Sequence, residues 1–230
     1  MPETTLPTLH DLPTGADTPR PANAASVIFE RARAVTAGCR WVTLGRLDQG
    51  LLHTVAATGS VPAALDAVQY LDGGPCVMSP LYGTRVEARL ADSDEASPWG
   101  LLGLSAGSAG VGSVLSLPVT DDGVVVGALT LYDSRGDALD GHEQQLADLC
   151  AGLAVDGLRR AEQTPAQRLA NALAPERARD QNSIDWAISL VARLVDADPA
   201  DASDSFRRAA TRAGMSDSAL AAHLIEWLDT

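Results

Sequence analysis

Residues 124–132 read Val-Val-Val-Gly-Ala-Leu-Thr-Leu-Tyr and are almost wholly apolar. A run this rich in β-branched and apolar side chains favours a strand in the centre of a sheet. A second apolar run, over residues 112–119, precedes it, and Asp121-Asp122-Gly123 separates the two. Because glycine accepts the positive φ of a tight turn, the two runs are predicted to form a β-hairpin.

Another hairpin is predicted earlier in the chain, over residues 40–47 and 51–58, with Asp48-Gln49-Gly50 as its turn. Hydrophobic periodicity also predicts three helices, over residues 24–37, 63–71 and 98–107. Ser97 is the expected cap of the third helix, and a short strand is predicted over residues 86–90. Asp72-Gly73-Gly74-Pro75 is predicted to interrupt regular structure, because two glycines and a proline propagate neither helix nor inner strand.

A long helix is predicted to begin at Asp140, with Glu143 completing a capping-box-like pair, and to run to about Leu173. Its apolar stripe recurs at helical spacing and comprises Leu146, Leu149, Cys150, Leu153 and Leu158. The stripe has two interpretations that the sequence leaves open. It forms a coiled coil between two copies of the chain, or it packs against the sheet of its own domain.

Three amphipathic helices are predicted in the last part of the chain, with apolar stripes over residues 184–195, 202–213 and 220–228. Short signals mark their ends: Asp198 and Pro199 begin the second helix, Gly214 ends it, and Ser216 caps the third. Each helix alone is marginal in water, so the three are predicted to pack together.

Charge restricts the partners of this chain. Its 230 residues include 17 arginines and no lysine, and its formal net charge is −13. Nucleic acids and anionic membranes repel a uniform polyanion, so any contact with RNA requires a local cluster of arginines.

The remaining composition favours a cytoplasmic protein. Cys39, Cys76 and Cys150 are far apart, which argues against a disulfide framework or a cysteine zinc site and is typical of a reducing compartment. Residues 1–23 are rich in Pro and Thr, lack a signal-peptide pattern, and are predicted to form a flexible tail. Since no apolar run approaches the length of a membrane span, no membrane association is expected.

Three stretches carry a family resemblance: Leu71-Asp72-Gly73-Gly74-Pro75-Cys76, residues 109–119 and residues 123–132. They resemble the GAF domains of actinobacterial regulators. The resemblance covers roughly residues 25–160, and the domain is predicted to span residues 24–162. The resemblance implies an α+β sensor domain, in which helices flank an antiparallel sheet. It does not identify the ligand or a cofactor. The absence of lysine argues against the Asn-Lys-Phe-Asp-Glu signature of cyclic-nucleotide GAF domains.

A small-molecule pocket in this domain has five candidate lining residues: Trp41, Cys76, Met78, Trp99 and Tyr132. Cys76 follows Gly-Gly-Pro, where the lip of a GAF pocket would lie, and is a candidate for reactivity or chromophore attachment. The alternative is that all five are core residues, with Cys76 as a small apolar filler. His53 and His142 have no second ligand at a helical or hairpin offset, so no metal site is predicted.

Each of the three C-terminal helices contains a short family-like stretch: Ile184-Asp185-Trp186-Ala187, Phe206-Arg207-Arg208-Ala209 and Leu220-Ala221. Through these stretches, residues 163–230 resemble an ANTAR domain, a three-helix module that binds paired RNA hairpin loops and causes transcription antitermination. The chain departs from the family pattern at two places: Ile188-Ser189 stand where a Lys-Gly pair is usual, and residues 213–217 replace a polar, basic stretch.

RNA contact is predicted for Arg207, Arg208 and Arg212, with Arg193 as a weaker candidate. Arg208 and Arg212 are four residues apart and share a helix face. Guanidinium groups hold phosphates and stack on splayed loop bases. The alternative is a solvated face on which these arginines pair with nearby acidic residues.

The sequence therefore predicts a homodimeric, signal-sensing transcriptional regulator, in which a GAF sensor controls an RNA-binding ANTAR module. The alternative is a dimeric ligand- or protein-interaction module whose ANTAR-like domain has lost RNA binding. DNA binding is disfavoured, because the would-be recognition helix carries Asp217, Glu226 and Asp229 and no arginine. Catalysis is not expected, because the cysteines lie 37 and 74 residues apart and no catalytic motif stands out.

Overall fold

The computed structural model describes residues 21–36, 38–90, 99–136, 141–149, 152, 154–160 and 181–228. Within these residues five strands form one antiparallel sheet: β1 (Cys39–Asp48), β2 (Leu51–Ala57), β3 (Val86–Arg89), β4 (Ser113–Asp121) and β5 (Val124–Asp133). Their order across the sheet is β2-β1-β5-β4-β3. The sheet confirms the α+β class and the GAF-like antiparallel arrangement that the sequence predicts.

The described helices precede, interrupt and follow the sheet. They are α1 (Pro21–Val35), α2 (Ser60–Asp72), α3 (Pro75–Tyr82), α4 (Gly100–Ser108), α5 (Glu143–Leu149), α6 (Val155–Arg160), α7 (Gln181–Leu194), α8 (Pro199–Arg212) and α9 (Asp217–Leu228). The predicted caps Ser97 and Asp140 lie outside the described residues.

Both predicted hairpins are present, and each has a two-residue turn within the predicted three-residue segment. Gln49 and Gly50 have φ of 49° and 80°, and Asp122 and Gly123 have the same pair of values. Positive φ at both central residues matches the right-handed twist of the flanking strands, which is why glycine ends each turn. Strand β5 lies between β1 and β4, and Leu129, Leu131 and Tyr132 are buried, as expected for a central strand.

One face of the sheet is covered by α1, α5 and α6. Ile28, Leu146 and Leu158 from these helices share a core cluster with Leu129 and Leu131 of β5. The guanidinium of Arg46 donates to the Leu158 carbonyl and fixes α6 on β1. The open question about the linker stripe is thus answered for Leu146 and Leu158, which pack on their own sheet. The rest of the predicted helix to Leu173 lies outside the described residues.

The segment at residues 72–75 interrupts regular structure as predicted, because α2 ends at Asp72 and α3 begins only at Pro75. Proline suits the first turn of a helix, where its missing N–H has no partner to lose. The amides of Val77 and Met78 donate to the Gly74 carbonyl and start the helix.

The three C-terminal helices have the predicted ends. The Asp198 carboxylate accepts the Ala200 amide at 2.8 Å, and Pro199 opens α8. Gly214 follows α8 with φ of 68°, and the Ser216 hydroxyl accepts the Ala219 amide at 3.1 Å at the start of α9. The helical pattern of the sequence and its caps therefore agree with the structure of this module.

These helices dock on the second face of the GAF-like domain. Leu65 of α2 and Leu102 of α4 belong to the same core cluster as Phe206 of α8 and Leu224 and Trp227 of α9. The Ser108 hydroxyl also donates to the Trp227 carbonyl at 2.8 Å. The molecule thus has four layers: α1, α5 and α6; the sheet; α2, α3 and α4; and α7, α8 and α9.

Phe206→Ala tests this shared core. Phe206 is fully buried, so its loss is expected to lower the free energy of unfolding by about 3–5 kcal/mol. Urea denaturation followed by circular dichroism measures the change. The exposed Arg208→Ala on the same helix is the control and should change it by about 0.5 kcal/mol or less. Equal stability of the Phe206→Ala variant and the wild type would contradict the docked arrangement.

Candidate functional site

A buried carboxylate occupies the centre of the interface between α2 and the sheet. Asp66 of α2 is only 2% exposed. Three hydroxyls donate to it, one from each of three adjacent strands: Thr43 of β1 at 3.1 Å, Thr54 of β2 at 2.7 Å, and Tyr132 of β5. Since a buried charge is costly unless it is hydrogen-bonded, these donors are what allow a carboxylate here.

Further side chains extend this network towards α3. The Gln69 amide donates to the Tyr132 hydroxyl at 2.9 Å, and its carbonyl oxygen accepts the Cys76 amide at 2.8 Å. Gly74 makes the second contact possible, because a Cβ at that position would lie 2.6 Å from a Gln69 side-chain atom. Gly74 therefore allows the close approach of α2 and α3.

Burial governs the protonation of the network. It raises the pKa of Asp66 to about 6, although the hydrogen bonds from Tyr132, Thr54 and Thr43 favour the carboxylate and oppose that rise. Burial raises the pKa of Tyr132 and of Cys76 well above their ordinary values, and the nearby Asp66 charge adds to both effects. Around neutral pH, Asp66 is thus the member of this network whose charge can change.

Tyr70 connects this network to the C-terminal module. Its hydroxyl lies 2.8 Å from the Thr54 hydroxyl, and the Arg212 guanidinium stacks over its ring at 4.0 Å from the centroid. The Arg212 Nε also donates to the Leu52 carbonyl at 3.0 Å, and burial lowers the Arg212 pKa. Leu52 belongs to the edge strand β2, so an arginine of α8 satisfies an edge carbonyl of the sheet.

The five predicted pocket residues do not share one role. Tyr132 and Cys76 are buried on either side of Gln69, and Cys76 packs with Leu52 and Ala128, as a small apolar filler would. Trp41 and Trp99 are partly buried against the core, with the Arg40 guanidinium 4.6 Å from the Trp41 ring centroid. Met78 is half-buried in α3. None of the five is among the lining residues of three cavities, which lie beside Leu117, Met215 and Leu190.

The four predicted RNA-contacting arginines also separate. Arg212 is hydrogen-bonded to the Leu52 carbonyl and stacked on the Tyr70 ring, so it does not form an exposed basic patch together with Arg208. The Arg208 guanidinium donates to the Ser205 hydroxyl at 3.1 Å, and Arg207 lies 4.0 Å from the Asp217 carboxylate. Arg193 lies on another helix, 6.0 Å from the Trp186 ring centroid.

Sequence reasoning missed Asp66, Gln69 and Tyr70. One signal was present, because Asp66 is an acidic residue in the otherwise apolar run Val61-Pro-Ala-Ala-Leu-Asp-Ala-Val. Such a residue in a buried helix requires a partner. Its hydroxyl donors are common residue types that lie 12 to 66 positions away, and no local pattern marks them.

The described residues offer limited reactive chemistry. Burial raises the pKa of Cys39 to about 12 and that of Cys76 well above its ordinary value, so both thiols are protonated at neutral pH. Cys150 lies outside the described residues. Among the described residues, no group of three or more His, Cys, Asp or Glu side chains is placed to bind a metal ion. None of the described helices combines the length and hydrophobicity needed to cross a membrane.

Helices on both faces of a five-stranded antiparallel sheet give this part of the chain an α+β fold of the GAF type. A family model of the GAF domain matches residues 21–159. Because this match covers more than half of the 230 residues, the chain belongs to the GAF domain family. The helices α7, α8 and α9 lie beyond the matched residues.

Solved structures show similarity at low identity. Type II free methionine-R-sulfoxide reductase from Thermoplasma acidophilum is 16% identical, with 59% of this chain and 93% of that chain covered and a TM-score of 0.44. The GAF domain of Acinetobacter phosphoenolpyruvate-protein phosphotransferase is 13% identical, with coverages of 67% and 89% and a TM-score of 0.44. No curated protein matches the chain.

Asp66→Asn tests the buried carboxylate through pH. The pKa of Asp66 is higher in the folded chain, about 6, than its ordinary 3.8, so the folded state binds this proton more tightly than the unfolded state. The stability that the protonated Asp66 contributes is therefore complete below pH 3.8 and is lost as the pH rises to about 6. Over this pH window we expect the free energy of unfolding of the wild type to fall by about 3 kcal/mol relative to that of Asp66→Asn.

Urea denaturation at a series of pH values measures this difference. The exposed Asp204→Asn on α8 is the matched control and should keep the wild-type pH dependence. If Asp66→Asn and the wild type have parallel pH profiles, Asp66 does not titrate as described.

Proposed function

We propose that the chain is a signal-sensing regulator, in which the GAF domain receives the signal and the C-terminal helical module delivers it. The observation that carries this proposal is the contact of Arg212 with both the Leu52 carbonyl and the Tyr70 ring. It joins a helix of the output module to the edge of the sensor sheet. The common core of α2, α4, α8 and α9 supports the same coupling.

The path from sensor to output is short. Asp66 is bonded to Thr54, Thr54 to Tyr70, and the Tyr70 ring lies under Arg212. A signal that alters the Asp66 network, whether by a small molecule or by a proton, would shift the Tyr70 side chain. That shift changes the surface on which α8 docks, which is how two sites are coupled energetically.

RNA binding is the output that we propose for the module, on the basis of its resemblance to ANTAR domains. The predicted contact needs Arg207, Arg208 and Arg212 together, but Arg212 faces the GAF domain in the docked state. The cluster is therefore complete only when α8 leaves β2 and α2. In this proposal the chain binds RNA weakly while α8 is docked, and the signal releases α8 so that the chain binds RNA more strongly.

A second candidate function is supported by the charges around α8. Arg207 lies near Asp217, Arg212 is occupied, and the chain as a whole carries −13. Under this alternative the module binds a protein or ligand and no RNA. In both proposals the chain acts without catalysis, which accords with the protonated, buried thiols of Cys39 and Cys76.

Tyr70→Ala tests the coupling itself. It removes the ring under Arg212, whereas Tyr70→Phe keeps the ring and removes only the hydroxyl. We expect faster amide hydrogen exchange over residues 199–212 in Tyr70→Ala, because α8 loses part of its docking surface. Tyr70→Phe should retain the wild-type protection of α8. Equal protection of α8 in the two variants would show that the Arg212–Tyr70 contact does not hold the module.

RNA binding is tested by titrating a two-hairpin RNA at several salt concentrations. We expect the wild type to bind RNA weakly and Tyr70→Ala to bind it more tightly. Because Arg212 is freed in this variant, the slope of log K against log salt concentration should be steeper by up to about one unit. Replacing Arg207, Arg208 and Arg212 by Ala should abolish binding and keep the helices, since Ala is the best helix former. No binding by the wild type or Tyr70→Ala at low salt would favour the second candidate function.

A further inference from the structure

The two carboxylate oxygens of Asp66 have unequal surroundings. Among the described residues, Oδ1 accepts hydrogen bonds from the Thr43 and Tyr132 hydroxyls, whereas Oδ2 accepts one from the Thr54 hydroxyl. Tyr132 itself accepts a hydrogen bond from the Gln69 amide, so its own proton is committed to Oδ1. A proton that joins Asp66 is therefore accommodated on Oδ2, beside Thr54, where one existing hydrogen bond has to change.

Thr54 connects that oxygen to Tyr70 through two hydrogen bonds, which together form the Thr54 relay. The Thr54 hydroxyl lies 2.7 Å from Asp66 Oδ2 and 2.8 Å from the Tyr70 hydroxyl. A threonine hydroxyl has a single proton to donate. While Asp66 is ionised, Thr54 donates this proton to Oδ2 and accepts a hydrogen bond from Tyr70. Once Oδ2 is protonated, it donates to Thr54, and Thr54 donates to Tyr70, so both hydrogen bonds reverse their direction.

The direction of the Tyr70 hydrogen bond affects the cation above its ring. The Arg212 guanidinium lies 4.0 Å from the ring centroid, and this attraction depends on the electron density of the ring. A phenol that donates its proton gains electron density in the ring, and one that accepts a proton loses it, because linked hydrogen bonds polarise one another. Arg212 is therefore held more tightly while Asp66 is ionised, and protonation of Asp66 loosens the contact.

The titratable groups that face Asp66 are Tyr132 of β5, Cys76 of α3 and Tyr70 of α2 itself. Burial raises the pKa of each well above its ordinary value, and the Asp66 charge adds to each rise, so all three stay neutral near neutral pH. Helix α4, which packs on α2, has no titratable side chain, and β1 supplies a neutral hydroxyl. The charged Arg212 of α8 lies beyond the Tyr70 ring.

His53 of β2 is a second group that titrates in this pH range. It follows Leu52, whose carbonyl accepts the hydrogen bond from Arg212. Burial and the nearby Arg212 charge lower the pKa of His53 below its ordinary 6.5. Because a protonated His53 would also repel Arg212, the contribution of His53 has to be separated from that of Asp66 by a variant.

Other ionisable groups on the elements around α2 interact elsewhere. Asp72 of α2 accepts the Leu101 amide at 3.1 Å, and the charged side chains of α8 other than Arg212 are exposed. The arginines of β1 donate to carbonyls outside the relay: Arg40 to Gly110 and Arg46 to Leu158. The titratable side chains of α9 interact with Arg207, with Trp227 and with one another: Asp217, His223 and Glu226.

We propose that the signal is a proton: protonation of Asp66 Oδ2 reverses the Thr54 relay, loosens Arg212 from Tyr70 and favours release of α8. The inference rests on the proposed function and deepens it by naming the signal. It also sets the sign of the response. Acid releases α8, whereas the same proton stabilises the fold as a whole, because the pKa of Asp66 is higher in the folded chain. The opposite signs allow the two effects to be separated.

Amide hydrogen exchange of the full chain is the test, at about pH 5 and about pH 7.5, on either side of the Asp66 pKa of about 6. After correction for intrinsic exchange rates, we expect the wild-type protection of residues 199–212 to be about fivefold lower in acid, the low end of coupling between two sites. Asp66→Asn should have low protection at both pH values, because its amide donates to Thr54 as the protonated acid does.

Two further variants test the relay. Thr54→Val removes the hydroxyl and should abolish the pH dependence of α8, whereas the matched Thr54→Ser keeps the hydroxyl and should retain it. If Thr54→Val does not fold, Tyr70→Phe interrupts the relay at its other end, and its α8 should be equally protected at both pH values. His53→Gln should retain the wild-type response.

Tyrosine NMR gives a readout that does not depend on the stability of α8. The chain has three tyrosines, and the Cζ resonance of Tyr70 is assigned by its absence from Tyr70→Phe. Because Cζ carries the hydroxyl that changes from donor to acceptor, we expect its chemical shift to move with a midpoint near the Asp66 pKa of about 6. The shift should not move in Asp66→Asn.

Three outcomes would overturn the inference. They are wild-type protection of α8 that does not fall in acid, a pH dependence that persists in Asp66→Asn, and a pH dependence that is lost in His53→Gln. A wild type without pH dependence, together with released α8 in Tyr70→Ala, would refute the proton as the signal and leave the proposed coupling standing. Unchanged protection of α8 in Tyr70→Ala would refute the coupling itself.

Discussion

The arrangement of this molecule depends on one buried acidic group that has to be satisfied without a neighbouring cation. Asp66 obtains its hydrogen bonds from hydroxyls on β1, β2 and β5. Meeting three adjacent strands at once fixes both the position and the rotation of α2 on the sheet. That rotation places Gln69 against Cys76 and Tyr70 beside Thr54, so the positions of α3 and of the docking surface for α8 follow from it.

The edge strand β2 joins the GAF domain to the C-terminal helices. An unpaired sheet edge is a template for unwanted pairing, and proteins cover it. Here the cover is the end of α8 and the turn after it, with Arg212 bonded to Leu52 and a Cβ at Gly214 only 3.7 Å from the Thr54 carbonyl. The same strand carries Thr54, which binds Asp66. A change at the buried carboxylate is therefore two hydrogen bonds from the side chain that supports Arg212.

Features fixed by neighbouring residues were predictable from the sequence. The turns at Gly50 and Gly123, the cap at Asp198 and the apolar run of β5 each depend on a few adjacent positions. Features that depend on distant partners were not predictable. Helical spacing places Arg208 and Arg212 on one side of α8, but it cannot say that another domain meets that side. Likewise, Tyr132 is a residue type common in pockets, and only its hydrogen bonds to Asp66 and Gln69 define its role.

Arg212 also explains why, in the proposed function, docking and RNA contact would exclude one another. A guanidinium that stacks on Tyr70 and is hydrogen-bonded to Leu52 is not free for a phosphate, so the proposed RNA contact would compete with docking for this side chain. In a chain with a net charge of −13, each arginine in a cluster contributes a large share of the local attraction for a polyanion. In the proposed function, the docked Arg212 would therefore weaken RNA binding while Arg207 and Arg208 keep their places. The free energy of docking then sets how far a signal must shift the equilibrium before the module is released.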